Sequence, residues 1–116
     1  MTRIVVADDE AIIAESTADL LRASGHDVEI VGRVPDILPT LLRHRAEVLL
    51  QDVRMPGMDL DVHLAAVRSR PELRGLRIVL FTATVAVEGL RDHRLIDAFI
   101  AKPFDPAELL ALVAPS

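Results

Sequence analysis

Val48-Leu49-Leu50-Gln51-Asp52-Val53-Arg54-Met55-Pro56-Gly57-Met58-Asp59 is the stretch on which the reading of the whole chain turns. Three apolar residues and a Gln run into an aspartate, and a Pro-Gly turn begins four residues later. A short apolar run bounded by turn signals is the pattern of a buried parallel strand. Asp52 then stands at its carboxyl end, the edge where open α/β sheets place their ligands. Alone, such an aspartate need do no more than cap the next turn. Its meaning depends on what the rest of the chain brings to the same edge.

On both sides the alternation of apolar runs and helical stretches repeats. Ile4-Val5-Val6-Ala7 is a continuous apolar run that ends in Asp8-Asp9-Glu10. A helix is predicted from about Ala11 to Ala23 and stopped by Gly25, with Ile13, Thr17, Leu20 and Leu21 on its core stripe and Ile12 on its polar face. Asp27 to Val31 reads as a strand. Pro35 and Pro39 cannot both lie in an undisturbed helix, so the next helix is predicted from about Ile37 to His44, with Asp36 as N-cap. A helix over Leu60 to Arg68 follows, broken by Pro71 and Gly75, and then a strand over Arg77 to Thr82. A short helix is expected between about Val85 and Arg94, and a fifth strand over Asp97 to Ala101. Asp105-Pro106-Ala107-Glu108 is a helix-opening signature, which places the last helix over Pro106 to Val113. Five strands alternating with five helices predict an α/β fold, a doubly wound five-stranded parallel sheet; if its order is 2-1-3-4-5, strands 1 and 3 flank the crevice where the topology reverses.

Composition bounds what such a domain can do. The 116 residues suffice for one domain with one core, and 51% hydrophobic against 3% aromatic residues makes that core aliphatic. The absence of cysteine excludes disulfides, cysteine–zinc sites and thiol chemistry, and fits an expected cytoplasmic location. No apolar run approaches a membrane span, and no basic-then-apolar leader opens the chain. A net charge of −5 argues against a direct nucleic-acid surface. The four arginines from Arg68 to Arg77 read as a solvated helix end and loop, and the histidines show no ligand spacing.

The predicted fold gathers chemistry at one edge. Asp8-Asp9, Asp52, Thr82 and Lys102 lie at or just past the ends of strands 1, 3, 4 and 5. Two like charges ~4 Å apart repel by about 4 kcal/mol at an effective dielectric near 20. A divalent cation is the natural compensation, and carboxylates with no Cys or His beside them select hard cations of magnesium type. Glu10 reads as an acid turned to solvent at a helix start.

These residues, at this spacing, resemble the receiver domain of two-component response regulators. The resemblance rests on Val5-Val6-Ala7-Asp8-Asp9-Glu10, Leu50-Gln51-Asp52-Val53-Arg54-Met55-Pro56-Gly57-Met58-Asp59, Thr82-Ala83 and Lys102-Pro103-Phe104, and covers essentially the whole chain. It implies the flavodoxin-like receiver fold as a single domain over residues 1–116, with no output domain within the chain. It implies Asp52 as phosphoacceptor, served by a histidine kinase or histidine phosphotransfer protein. Asp9 would be a direct Mg2+ ligand, Asp8 a ligand through water, and the Arg54 carbonyl a further ligand beside Asp52. Lys102 would contact the phosphoryl group, Thr82 would move to bond it, and Phe99 would rotate with it. Ile12 or Ile13 and a wall of Pro103 and Phe104 would receive the donor, with a cis Lys102–Pro103 peptide aiming the ammonium. Such a chain is no enzyme in the ordinary sense; self-catalysed phosphorylation from small donors and autodephosphorylation are expected. The downstream target is open, and phosphorylation-dependent dimerisation is compatible with the resemblance. Leu60 and Leu95-Ile96 depart from the family pattern, the latter beside the face many receivers use to dimerise.

Rival readings remain. A Mg2+-dependent phosphatase with an aspartyl-phosphate intermediate uses the same groups, but carries a second Asp where Arg54 stands. A flavodoxin-like cofactor carrier lacks its phosphate loop, since two acids would repel phosphate. A phosphorylation-independent receiver-like binding module would have no need of the intact Asp, Thr and Lys set.

Overall fold

Both faces of the sheet are covered, which is why the strands read as unbroken aliphatic runs. The computed structural model describes residues 1–83, 94–102 and 104–115, with only the backbone of Thr82 and Ala83. Its strands are β1 (Arg3–Ala7), β2 (Asp27–Val31), β3 (Val48–Asp52), β4 (Arg77–Ala83) and β5 (Ala98–Lys102), all parallel and in the order β2-β1-β3-β4-β5. The expected topology is therefore observed. The α-helices among the described residues are α1 (Ala11–Ala23), α2 (Val34–His44), α3 (Leu60–Arg68) and α4 (Pro106–Val113), with one 3-10 turn over Pro71–Leu73. The helix expected between about Val85 and Arg94 falls on residues 84–93, outside the described residues, as does Pro103.

Two cores flank the sheet. Ala14, Ala18 and Leu21 of α1, with Leu109 and Val113 of α4, pack on Ile4, Val6, Val48, Leu50, Val79 and Phe81. On the other face Ile37 and Leu41 of α2, with Leu64 and Val67 of α3, pack on Val5, Leu49, Ile78 and Leu80. The buried stripe of α1 is Ala14, Thr17, Ala18 and Leu21, flanked by half-buried Ile13 and Leu20. Ile12 is turned outward as its position on the polar face predicts, at 83% exposure.

Helix α2 departs from expectation. It begins at Val34 rather than Ile37, Arg33 is its N-cap in place of Asp36, and Pro39 lies in its interior. Pro35 falls in the first turn, where its missing N–H is harmless. Pro39 leaves the Pro35 carbonyl without a helical donor, at a cost of about 3 kcal/mol in an ordinary helix interior. Burial of Ile37, Thr40 and Leu41, and packing of Val34, Leu38 and Leu42 on the core, offset that cost. Tertiary packing has overridden the local proline rule.

The arginine cluster is also other than expected. Arg68 donates to the carbonyls of Leu95 and Leu76 and to the Asp97 carboxylate at 2.9, 2.6 and 2.7 Å, tying α3 to the starts of β4 and β5. Arg77 donates to the carbonyls of Leu112, Val113 and Ala114 at the end of α4. Two of the four arginines thus hold the fold together, Arg70 is half-buried and pairs with Glu72 at 2.8 Å, and only Arg74 fits the solvated reading. Strand β5 lies one residue later than predicted, so Lys102 is its last residue.

Candidate functional site

The strand order reverses between β1 and β3, and the crevice at their carboxyl ends is the site. Asp8 follows β1 directly and is 1% exposed; Asp52 ends β3 and is 5% exposed. Asp8 is held locally, since its backbone N–H donates to the Val31 carbonyl and its Oδ1 accepts from the Glu10 N–H at 2.9 Å. That leaves Oδ2 to face Lys102, whose Nζ donates to it at 3.1 Å. The same Nζ lies 3.8 Å from Asp52 Oδ1 and 4.2 Å from the centroid of the Phe81 ring. One ammonium therefore serves two buried carboxylates and an aromatic face at once. Phe104 stands against Phe81 with ring centroids 6.3 Å apart, closing the wall behind Lys102.

The loop after β3 is shaped by its own residues. Met55-Pro56-Gly57-Met58 is a turn closed by the Met58 N–H on the Met55 carbonyl at 3.1 Å, with Gly57 at φ +78°. Pro before a positive-φ Gly is the signature of a type II turn. Asp59 caps α3, its carboxylate accepting from the Val62 N–H, and Leu60 is the first residue of that helix.

Two carboxylates and one ammonium leave the site electrostatically unbalanced. Burial, opposed by Lys102 and reinforced by the Asp8 charge, raises Asp52 from 3.8 to about 6. Carboxylate oxygens of Asp8, Glu10 and Asp52 all lie within 4.8 Å of one another. Glu10 was expected to fan into solvent; it is exposed, yet its carboxylate reaches the cluster from the N-cap of α1. Asp9 is exposed and is not one of the three; it lines a neighbouring groove with Arg33, Met55 and Gly57. An all-oxygen set with no nitrogen or sulfur donor fits a hard divalent cation of magnesium type.

The remaining candidates divide. Thr82 is placed in β4 opposite Ala101, and Ala83 opposite Lys102, so the backbone brings both to the same edge. Phe99 pairs with Leu80 across β4–β5 and is half-buried on the α2–α3 face of the sheet. Of the two isoleucines beside the acids, Ile12 is the exposed one and Ile13 packs on the core. The cis Lys102–Pro103 peptide and the Pro103 wall lie outside the described residues.

The sequence profile of the response regulator receiver domain matches residues 4–114. The response regulator protein FleR of Pseudomonas aeruginosa is 32% identical over 114 residues, covering 97% of this chain and 24% of that protein. The DNA-binding response regulator MtrA of Mycobacterium tuberculosis is 35% identical over 116 residues, covering 96% of this chain and 48% of that protein. The chain thus spans half or less of the length of these relatives. The receiver domain of sensor histidine kinase PA1611 from Pseudomonas aeruginosa, solved with a magnesium ion in its active-site cleft, superposes with a TM-score of 0.83 at 26% identity. That match covers 97% of this chain and 93% of the other.

Proposed function

The chain belongs to the receiver domains of response regulators, the signalling modules of two-component systems, and from that premise we propose that Asp52 accepts a phosphoryl group from a phosphohistidine of a histidine kinase or phosphotransfer protein. The observation that carries this reading is the convergence of Asp52, Asp8, Glu10 and Lys102 at the sheet's switch point. In the transfer, an Asp52 carboxylate oxygen bonds to phosphorus as the phosphorus–nitrogen bond of the donor breaks and the imidazole leaves. Such a step demands alignment and charge neutralisation more than covalent assistance. Asp52 must be ionised to attack, and with its carboxyl at about 6 it is largely so at neutral pH. Lys102 is placed to follow the charge from Asp8 and Asp52 onto a phosphoryl oxygen, as a compact ammonium on a flexible stem can.

Asp8, Asp52 and the Arg54 carbonyl, completed by Asp9 or Glu10, are the residues proposed to hold Mg2+. A bound ion of this kind neutralises the acceptor carboxylate and the incoming phosphoryl oxygens. The PA1611 receiver's magnesium supports that assignment. The phosphatase rival stays disfavoured, because position 54 is an arginine, whose backbone N–H reaches the Asp52 carboxylate at 3.4 Å and whose side chain offers no second acid/base. The test is incubation with Mg2+ and acetyl phosphate followed by intact mass. One phosphoryl adduct is expected on wild type and none on Asp52→Asn; an adduct that survives in Asp52→Asn would place the acceptor elsewhere.

Donor docking is proposed at the start of α1, where Ile12 is the large apolar side chain left exposed beside the acids. Ile12→Asp should slow phosphotransfer from a protein donor several-fold while leaving acetyl phosphate labelling unchanged. Equal loss with both donors would remove the docking role.

The proposed switch joins Thr82 to Phe99. A phosphoryl group on Asp52 adds charge and acceptor oxygens, Thr82 supplies a hydroxyl donor, and Phe99 answers on the adjacent strand. A charge-assisted hydrogen bond supplies roughly 1.5–3 kcal/mol, whereas a swing from 1:99 to 99:1 needs about 5.5 kcal/mol. The target that binds the β5 face must therefore supply the rest. Beryllofluoride with Mg2+ should shift the Phe99 ring and the Thr82 methyl together in NMR spectra. In Thr82→Val the Phe99 response should disappear; its persistence would separate the two residues.

A further inference from the structure

Gln51 is fully buried in the middle of an aliphatic sheet, one residue before the proposed acceptor. Its side chain points to the α2–α3 face, opposite to that of Asp52, and every polar atom it carries is engaged. Nε2 donates to the Asp52 carbonyl at 2.9 Å and contacts the sulfurs of Met55 and Met58 at 3.4 and 3.5 Å. Oε1 lies 2.9 Å from Nε2 of His63 on α3. The amide's orientation follows from these partners, because a carbonyl and two thioethers only accept. Oε1 therefore faces His63, and the His63 Nε2 must carry a hydrogen and donate it.

We infer that Gln51 and His63 are a positioning pair for the acceptor: together they fix the peptide of Asp52 and the turn after it, and so set where the Asp52 carboxylate and the Arg54 carbonyl stand. Gln51 touches Asp52 and both ends of the Met55–Met58 turn, and Arg54 lies between those anchor points. His63 fastens the far end of the amide to α3. Burial pushes the His63 imidazole below its ordinary value and so favours the neutral ring. Packing does not call for these residue types. Two aliphatic side chains would fill the same space without the desolvation that a buried amide and imidazole undergo.

The inference rests on the phosphoacceptor reading, and four variants test it: Gln51→Leu, His63→Leu, the double variant, and His63→Gln. Each single leucine variant strands a polar partner and should melt lower in EDTA, while the double variant, with both partners apolar, should regain most of that loss. A pair that merely fills the core would recover everything with it. A positioning pair would not. Gln51→Leu and the double variant should bind Mg2+ about 10-fold more weakly, read from amide NMR shifts, and label with acetyl phosphate about 10-fold more slowly. His63→Gln, whose amide N–H can reach Oε1, should return most of the labelling rate. Wild-type Mg2+ affinity and labelling in the double variant would overturn the inference alone. A wild-type protein that takes no adduct would overturn the phosphoacceptor reading and this inference with it.

Discussion

Asp52→Asn should melt at a higher temperature than wild type at pH 7 in EDTA, by an amount set by the crowding of the pocket. Its carboxyl stands at about 6 in the folded protein against 3.8 ordinarily, chiefly because burial disfavours the charge. At 1.36 kcal/mol per tenfold change in proton affinity, ionising it in place costs up to about 3 kcal/mol, or on the order of 10 °C for a domain of this size. The sign of the pH dependence follows. The folded carboxyl holds its proton more tightly than the unfolded one, so the folded state carries the extra proton between about pH 4 and pH 6. Wild-type stability falls through that window and stays reduced above it, while the Asn variant lacks this contribution. The gap in melting temperature should therefore close below about pH 4, where both proteins are neutral at this position. Mg2+ should narrow it from the other side, by stabilising wild type more than a variant missing one ligand. A variant that melts below wild type at pH 7 in EDTA, or a gap that persists in acid, contradicts a strained acidic pocket.

That strain was legible in the sequence because its sources are local. Each acid stands at the end of an unbroken apolar run, and parallel strands buried on both faces leave such runs unmistakable. The same property exposed the parallel, helix-covered sheet, since strands of this kind must alternate with helices long enough to cover them. What escaped notice depended on pairs far apart in the chain. Gln51 stands inside an apolar run, but the His63 that meets its amide lies on another element, twelve residues on, and nothing in its neighbourhood marks it. Glu10 escaped for a different reason: exposure and participation are compatible for a side chain long enough to bend back. The start of α2 was misplaced because a proline rule is a statement about one turn of helix. Ile37 and Leu41 are fully buried, and no local rule weighs that. Arg68 and Arg77 looked like surface charge, and only the assembled strand and helix ends reveal the carbonyls they serve.

Lys102→Met should act in the opposite direction to Asp52→Asn, and by at least as much. The Lys102 side chain is 19% exposed, and the Asp8 side chain that it contacts at 3.1 Å is wholly buried. Removing the cation leaves Asp8 and Asp52 facing each other with no positive partner among the described contacts of either carboxylate, and breaking a buried pair from one side typically costs about 3–5 kcal/mol. Methionine keeps an unbranched side chain of similar length, so the loss, which includes the contact of the ammonium with the Phe81 ring at 4.2 Å, reads out charge rather than packing. In EDTA at pH 7 the variant should melt well below wild type, and in acid, where both carboxyls take up protons, the difference should shrink. Mg2+ supplies the missing positive charge at the same place, so it should raise the melting temperature of Lys102→Met by more than it raises that of wild type. Adding Asp8→Asn to Lys102→Met should recover most of the loss without metal, because Asp52 then faces no buried like charge, only the solvent-exposed Glu10 carboxylate. If Lys102→Met melts with wild type in EDTA, the ammonium is not what holds the acids together. If the loss appears but neither Mg2+ nor Asp8→Asn reverses it, the damage is to packing around Phe81 and Phe104. Reversal by both would show one charge balance governing the site, held by Lys102 in the resting protein and shared with the metal when the acceptor is ready.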